Sequence, residues 1–137
     1  MNVFWLSHHH DDELNRCFRI GGWPVCARCL GTYPVLFAAL AVQIAIKAPL
    51  SLPQEVLWAP ALTLPALLDW SWGRFHPASG SNAWRFITGC SLGLGLGRAL
   101  YVHFQKPFPP VLIAVLSLVT LVATPVILAT YRRSLRR

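Results

Sequence analysis

Charge is scarce in this sequence. Only 12% of its 137 residues are Asp, Glu, Lys or Arg, well below the ~25% of a soluble domain, while 55% are hydrophobic. Water is therefore not expected to be its only solvent, and a lipid bilayer is the expected partner. Acidic residues are scarcest: five stand against twelve Lys and Arg, giving a net charge of +7. In a soluble protein that excess would suggest nucleic acid. Here the basic residues flank apolar runs, as they do at membrane boundaries, so nucleic acid is excluded as a partner. Nor is a cleavable leader expected: Met1 to Leu6 is short, lacks a basic residue and runs into the polar SHHHDDE stretch. The N-terminus is expected to stay on the mature chain.

What the sequence does have is apolar runs separated by proline and glycine. Four spans are expected, at about 31–47, 56–72, 84–104 and 111–130, each near the length that crosses a ~30 Å hydrocarbon core as a helix. Arg28 and Lys47 bound the first run, and Pro60, Pro65 and Asp69 interrupt the second and predict a kink. Residues 73–82 shift to Gly, Pro, Ser, Arg and His, the composition of an exposed loop. The expected fold class is all-α, a four-transmembrane-helix bundle over 31–131. A cysteine- and histidine-rich segment, 1–30, precedes it and a basic tail, 132–137, follows. Several Trp and Tyr residues, among them Trp23, Tyr33, Trp58, Trp84 and Tyr131, fall near span ends, where their amphipathic rings suit the headgroup layer. Arg16, Arg19, Arg28, Arg74, Arg85 and the four tail arginines lie on one side of this topology, against Lys47 and Lys106 on the other. That asymmetry places both termini in the cytoplasm and the protein in the inner (cytoplasmic) membrane as a multi-pass chain.

Within the third run Gly89, Gly93 and Gly97 recur every four residues, with Gly95 widening the stripe. Small residues at that spacing let two helix backbones approach closely in lipid. The stripe is the expected packing surface, either within the bundle or toward a homo-oligomer or membrane-protein partner. A phosphate-cradling reading of these glycines fails, because no strand precedes them.

Chemistry concentrates near the start, where residues 8–33 hold three of the four cysteines and three of the five histidines. Cys26-Ala27-Arg28-Cys29 sets two thiols three residues apart, a spacing that clasps one metal ion without straining the backbone. Cys17 and one of His8, His9 or His10 would complete a Cys3His set for zinc. Only the second pair has the usual tight spacing, so a working dithiol and incidental thiols stay open as readings, as does a solvated histidine patch. A short helix around Asp12 to Phe18 and a tight turn at Gly21-Gly22 would fold Cys17 back toward Cys26. Cytoplasmic thiols are kept reduced, and a helix N-terminus favours thiolate; both favour metal over a permanent bridge. Asp69, near the cytoplasmic end of the second run, is a functional candidate. It would orient a metal-bound histidine, ligate the ion, or pair with Arg28 or Arg85. Arg98 is expected to snorkel to the outer headgroups, Cys90 to pack, and His76 to serve as a reserve ligand.

Three groups of residues carry a family resemblance: Arg16-Cys17-Phe18 with Pro24-Val25-Cys26-Ala27-Arg28-Cys29-Leu30-Gly31-Thr32-Tyr33; Leu68-Asp69-Trp70; and Asn82-Ala83-Trp84-Arg85-Phe86-Ile87-Thr88-Gly89. Over roughly residues 7 to 100 the chain resembles a family of small predicted bacterial membrane proteins classed as a domain of unknown function. Family members often carry a Cys-His pair upstream of the Arg-x-Phe element. Here that tract reads His8-His9-His10-Asp11, and a cysteine stands at 17 instead. The resemblance implies a membrane protein and supplies no reaction.

The function expected from the residues is that of an accessory, assembly or sensing factor with a cytoplasmic zinc site, and not of an enzyme. The alternative is a membrane thiol-disulfide oxidoreductase using Cys26 and Cys29. It would be similar to four-helix quinone-linked disulfide enzymes, although those use a second cysteine pair on the oxidising side. A small ion or metal transporter working past Asp69 is the third reading, against which stand the single carboxylate and the lack of an inverted repeat.

Overall fold

A computed structural model describes residues 11–50, 54–76 and 79–135. The chain opens with a 3-10 helix, Asp11–Arg16, and enters a two-stranded antiparallel hairpin, β1 (Cys17–Ile20) and β2 (Trp23–Cys26). Gly21 and Gly22 force the reversal. A two-residue hairpin loop that matches strand twist needs positive φ at both central positions, and here φ is 57° and 86°. The helix expected over Asp12 to Phe18 is thus cut short at Arg16. The β-favouring residues Phe18, Ile20, Trp23 and Val25 flank the glycine pair and carry the chain into the hairpin.

Four α-helices follow among the described residues: α1 (Ala27–Ala45), α2 (Glu55–Phe75), α3 (Asn82–Gln105) and α4 (Pro110–Leu135). The expectation of an all-α, four-span bundle is corrected in two respects. A small sheet is present, and among the described residues only α1 and α4 are long and apolar enough to cross a membrane. The reason lies in the residues of the other two helices. α2 carries Glu55, Asp69, Arg74 and two prolines, and α3 carries Arg85, Arg98 and a glycine-rich interior, so helical length is not matched by apolar surface.

α3 lies between the other helices. A Cβ at Gly93 would sit 2.6 Å from the Thr32 carbonyl oxygen of α1, one at Gly97 would sit 2.9 Å from Ala39 Cβ, and one at Gly89 would collide with the Arg28 carbonyl. Gly95 faces α2 instead, where a Cβ would lie 2.7 Å from the Ala59 carbonyl oxygen. The stripe is therefore filled by the chain's own α1, and the face expected to receive a homo-oligomer or a membrane-protein partner is not open. On the other side of α3, Ala59, Val102, Val111 and Val115 form the buried apolar core shared with α2 and α4.

Most described basic residues collect at one end. Arg16 Nη2 donates to the Gly73 carbonyl at 3.2 Å, Arg28 pairs with Asp69, and the Arg133 guanidinium lies 4.9 Å over the Phe75 ring. The hairpin, the start of α1, the end of α2 and the end of α4 thus share that end. Lys47 and Lys106 follow α1 and α3 at the opposite end.

That opposite end also corrects the expectation for Arg98. Its side chain does not snorkel outward but is 3% exposed. It donates to Glu55 Oε2 from Nε at 3.0 Å and from Nη2 at 2.7 Å, to Gln43 Oε1 at 3.2 Å and to the Pro49 carbonyl at 2.7 Å. Snorkelling is the resort of an unpartnered cation, and Arg98 has a buried carboxylate beside it.

Candidate functional site

The hairpin register sets Cys17 directly opposite Cys26, which puts their Cα atoms about 4.5–5.5 Å apart. Cys26 ends β2 and is the N-cap of α1, so Cys29, three residues on in the first turn, lies on the same face. Cys26 and Cys17 both lie near enough to act on the Cys29 thiol. No disulfide joins any of the cysteines, and Cys17 and Cys26 are each only 8% exposed. Three sequence-predicted ligands are thus brought to one corner. His8, His9 and His10 lie outside the described residues. Among the described residues no group of three or more His, Cys, Asp or Glu side chains is arranged to hold a metal ion.

The remaining candidates divide. Cys90 packs in α3 where Gly31 of α1 closes against it, a Cβ at Gly31 lying 3.0 Å from the Cys90 backbone nitrogen. His76 stacks on Trp72 at 4.3 Å. Asp69 accepts from Arg28 Nη2, so of the roles open to it the structure displays the ion pair.

Beside the thiols opens a cavity of about 280 Å³. Four guanidiniums wall it, those of Arg16, Arg28, Arg74 and Arg85, with Asp69 as the one carboxylate among the described residues and Cys26 and Cys29 along one edge. Each wall residue has a local cause. Ser81 caps α3 by accepting from the Trp84 backbone at 3.1 Å, which starts the helix with Arg85 in its first turn. Asn82, beside it, donates to the carbonyls of Asn15 at 3.0 Å and Cys17 at 3.1 Å and so fastens the hairpin to α3. Phe18 meets Phe86 edge-on across the same seam, with ring centroids 6.4 Å apart. Arg74 lies 5.4 Å over the Trp70 ring.

Arg85 is 8% exposed and donates to Asn82 Oδ1 at 3.1 Å and to the Ser79 carbonyl at 2.7 Å. Burial lowers its guanidinium below the ordinary value, Arg16 pushes the same way, and Asp69 opposes. Arg28 keeps a buried Nε–H with no acceptor among the described residues.

The DUF2085 family, described as predicted membrane protein, matches residues 9–99. The chain belongs to this family. No match is found among curated proteins or solved structures. The matched stretch takes in the hairpin, α1, α2, most of α3, the three clustered cysteines and every wall residue of the cavity, whereas α4 lies beyond it. The family's description agrees with the two apolar helices, α1 and α4.

Sequence reasoning missed Glu55 and Gln43 as the partners of Arg98, and missed Arg16 and Arg74 as walls of a cavity. Two signals were present. Arg98 and Glu55 are both ionisable residues set in apolar surroundings, each needing a counter-charge. In the sequence Arg16 and Arg74 serve only as markers of membrane side and Arg28 and Arg85 also as partners for Asp69, which says where they lie but not that all four converge.

Proposed function

We propose that this chain is a multi-pass protein of the bacterial inner membrane, with both termini cytoplasmic, whose hairpin corner binds zinc through Cys17, Cys26, Cys29 and one of His8, His9 or His10. It serves as an assembly, sensing or accessory factor. The observation that carries this reading is the register of the hairpin. Opposing Cys17 to Cys26 at the N-cap of α1 pairs two thiols across the hairpin with no disulfide between them, and Cys29 stands three residues on. Zinc takes thiolates at about 2.3 Å in a tetrahedron, and the imidazole would supply the fourth position. Three thiolates and a neutral imidazole around a dication carry one net negative charge, which the neighbouring arginines offset. The orientation is supported by the gathering of Arg28, Arg74, Arg85 and Arg133 at one end, from which α1 leaves and to which α4 returns.

Elemental analysis with thiol counting on the full chain in detergent tests this. Stoichiometric zinc is expected, with Cys17, Cys26 and Cys29 slow to react until a chelator is added, and with metal lost in Cys29→Ser. Replacing all three of His8, His9 and His10 by Ala is expected to weaken zinc markedly, and unchanged zinc would remove the imidazole from the set.

One observation favours the oxidoreductase reading: the neighbouring thiols of Cys26 and Cys29 edge an open cavity. A metal-free protein that cycles between a Cys26–Cys29 disulfide and two thiols would establish that reading and end the zinc one.

A further inference from the structure

The two glycines of the hairpin loop decide which residues across it can be joined covalently. With φ positive at both Gly21 and Gly22, the loop is of the two-residue kind, which closes on a hydrogen-bonded pair, here Ile20 and Trp23. Pairs then alternate along the strands. Arg19 and Pro24 face each other without ladder bonds, Phe18 and Val25 with them, and Cys17 and Cys26 again without. Pro24 agrees with this phase, since it has no N–H to donate and stands where the ladder needs none. Residues opposed at a position without ladder bonds have Cα atoms about 4.5 Å apart and the closer side chains of the two kinds of pair. That separation lies within the ~4.4–6.8 Å that a disulfide spans, so a bond between Cys17 and Cys26 asks for little backbone movement. The strand is also held in place: Asn82 donates to the Cys17 carbonyl at 3.1 Å, and Phe18 meets Phe86 of α3 edge-on.

We propose that Cys17 and Cys26 close as a cross-strand disulfide, with Cys29 as the thiol through which a small-molecule disulfide oxidant enters. Exposure and position assign the roles. Cys17 and Cys26 are buried and Cys29 is partly exposed, and Cys26 and Cys29 edge the cavity of about 280 Å³ while Cys17 stands across the hairpin from Cys26. Cys26 is therefore the shared thiol, three residues from one partner and opposite the other. The Cys29 thiolate attacks one sulfur of the oxidant, forming a mixed disulfide and expelling the first small thiolate. Cys26 then attacks the Cys29 sulfur and expels the second. Finally Cys17 attacks the Cys26 sulfur, the bond to Cys29 breaks, and Cys29 leaves as a thiolate that regains its proton. Two protein thiols have given up two electrons and two protons, and the oxidant has become two thiols. The last step carries the bond from the cavity edge to a buried pair, where an incoming thiol reaches it less easily. In a reducing compartment the thiols rest reduced, and the bond is a reversible response to oxidant. As regulation of the metal corner this rests on the zinc reading, because the bond takes two of the three thiolates and so expels the ion. The bond itself rests on the register alone.

The test uses the full chain in detergent. Its zinc is measured, the protein is treated with a chelator and then with bis(2-hydroxyethyl) disulfide, free thiols are alkylated, and the unreduced chain is digested with trypsin for mass spectrometry. Cleavage after Arg16, Arg19 and Arg28 puts Cys17, Cys26 and Cys29 on three separate peptides, so each possible bond joins a different pair. In wild type the peptides of Cys17 and Cys26 are expected to be joined, with Cys29 alkylated. Cys29→Ser is expected to form the same bond about tenfold more slowly, since the oxidant must then reach a buried thiol directly. Cys17→Ser is expected to stop at a bond between Cys26 and Cys29 that dithiothreitol reduces about tenfold faster than the wild-type bond. A final wild-type bond between Cys26 and Cys29, no bond at all, or a Cys29→Ser rate equal to that of wild type overturns the inference. The wild-type map needs no substitution, so it decides the bond even if a variant fails to fold. A chain isolated without zinc that still joins Cys17 to Cys26 would refute the metal centre alone. A chain that carries zinc and, once stripped of it, does not form this bond would refute the disulfide alone.

Discussion

At one end of the molecule Arg98 donates to the carboxylate of Glu55, the amide oxygen of Gln43 and the carbonyl of Pro49; at the other, Arg28 pairs with Asp69 and Arg85 donates to Asn82 and to the Ser79 carbonyl, with Arg16 and Arg74 around the same cavity. The first arrangement is closed. Gln43, Glu55 and Arg98 come from α1, α2 and α3, so each helix contributes one member, and the cation, its counter-charge and most of its donors are satisfied without a ligand. The second is open, a cavity with Arg16, Arg28, Arg74, Arg85 and Asp69 in its wall. A buried ion pair matched across three helices is a structural clasp, whereas charged side chains gathered around open space leave room for chemistry beyond holding the fold.

The largest expected effect lies at the clasp. Glu55→Ala or Arg98→Ala leaves the other charge buried alone, and either is expected to cost about 3–5 kcal/mol in unfolding experiments in detergent. The double variant Glu55→Leu with Arg98→Met is expected to recover much of that loss, since an apolar pair can replace a buried ionic one. If either single variant unfolds within about 1 kcal/mol of wild type, the clasp is not what joins these helices.

Between the two ends runs the seam of α1 and α3, and it yields the next effect in size. A side chain at Gly93 must displace the Thr32 carbonyl, 2.6 Å from where a Cβ would stand. Gly93→Leu is therefore expected to destabilise by about 1–3 kcal/mol or more. Leu94, next in sequence, is 45% exposed. Leu94→Ala is expected to cost less than about 0.5 kcal/mol, because little of its contact is with the protein. Equal losses in the two variants would mean that the helices are not held by close backbone approach.

How far the sequence reveals all this depends on the distance over which each feature is decided. The apolar runs marked four helices, and α1 to α4 cover them with ends shifted by a few residues, because an apolar run bounded by polar residues and proline is a local signal. That the same runs cross a membrane does not follow. In α2 and α3 Glu55 and Arg98 pair with each other, Asp69 pairs with Arg28, and Arg85 donates to Asn82 and Ser79, so these groups find their partners in the protein and not in lipid. The thiol corner was half legible: the spacing of Cys26 and Cys29 is local, and two adjacent glycines announce a reversal. The exact opposition of Cys17 to Cys26 depends on a register that only the hairpin fixes. The cavity was not legible at all, since Arg16, Arg28, Arg74 and Arg85 converge only once the hairpin, α1, α2 and α3 have packed.

The smallest effect on stability is expected where the comparison is sharpest, at the carboxylate of the open end. Asp69 pairs with Arg28, whose side chain is 22% exposed, so water already screens part of the attraction. Asp69→Asn keeps the shape of the side chain and one acceptor for the guanidinium, and is expected to cost no more than about 1 kcal/mol, far less than the loss of Glu55. The unfolding midpoint of Asp69→Asn, measured beside that of Glu55→Ala in the same detergent, checks this. A loss as large as that of Glu55→Ala would mean that the carboxylate does more than aim Arg28, and that the open end depends on its own ion pair as much as the closed one does.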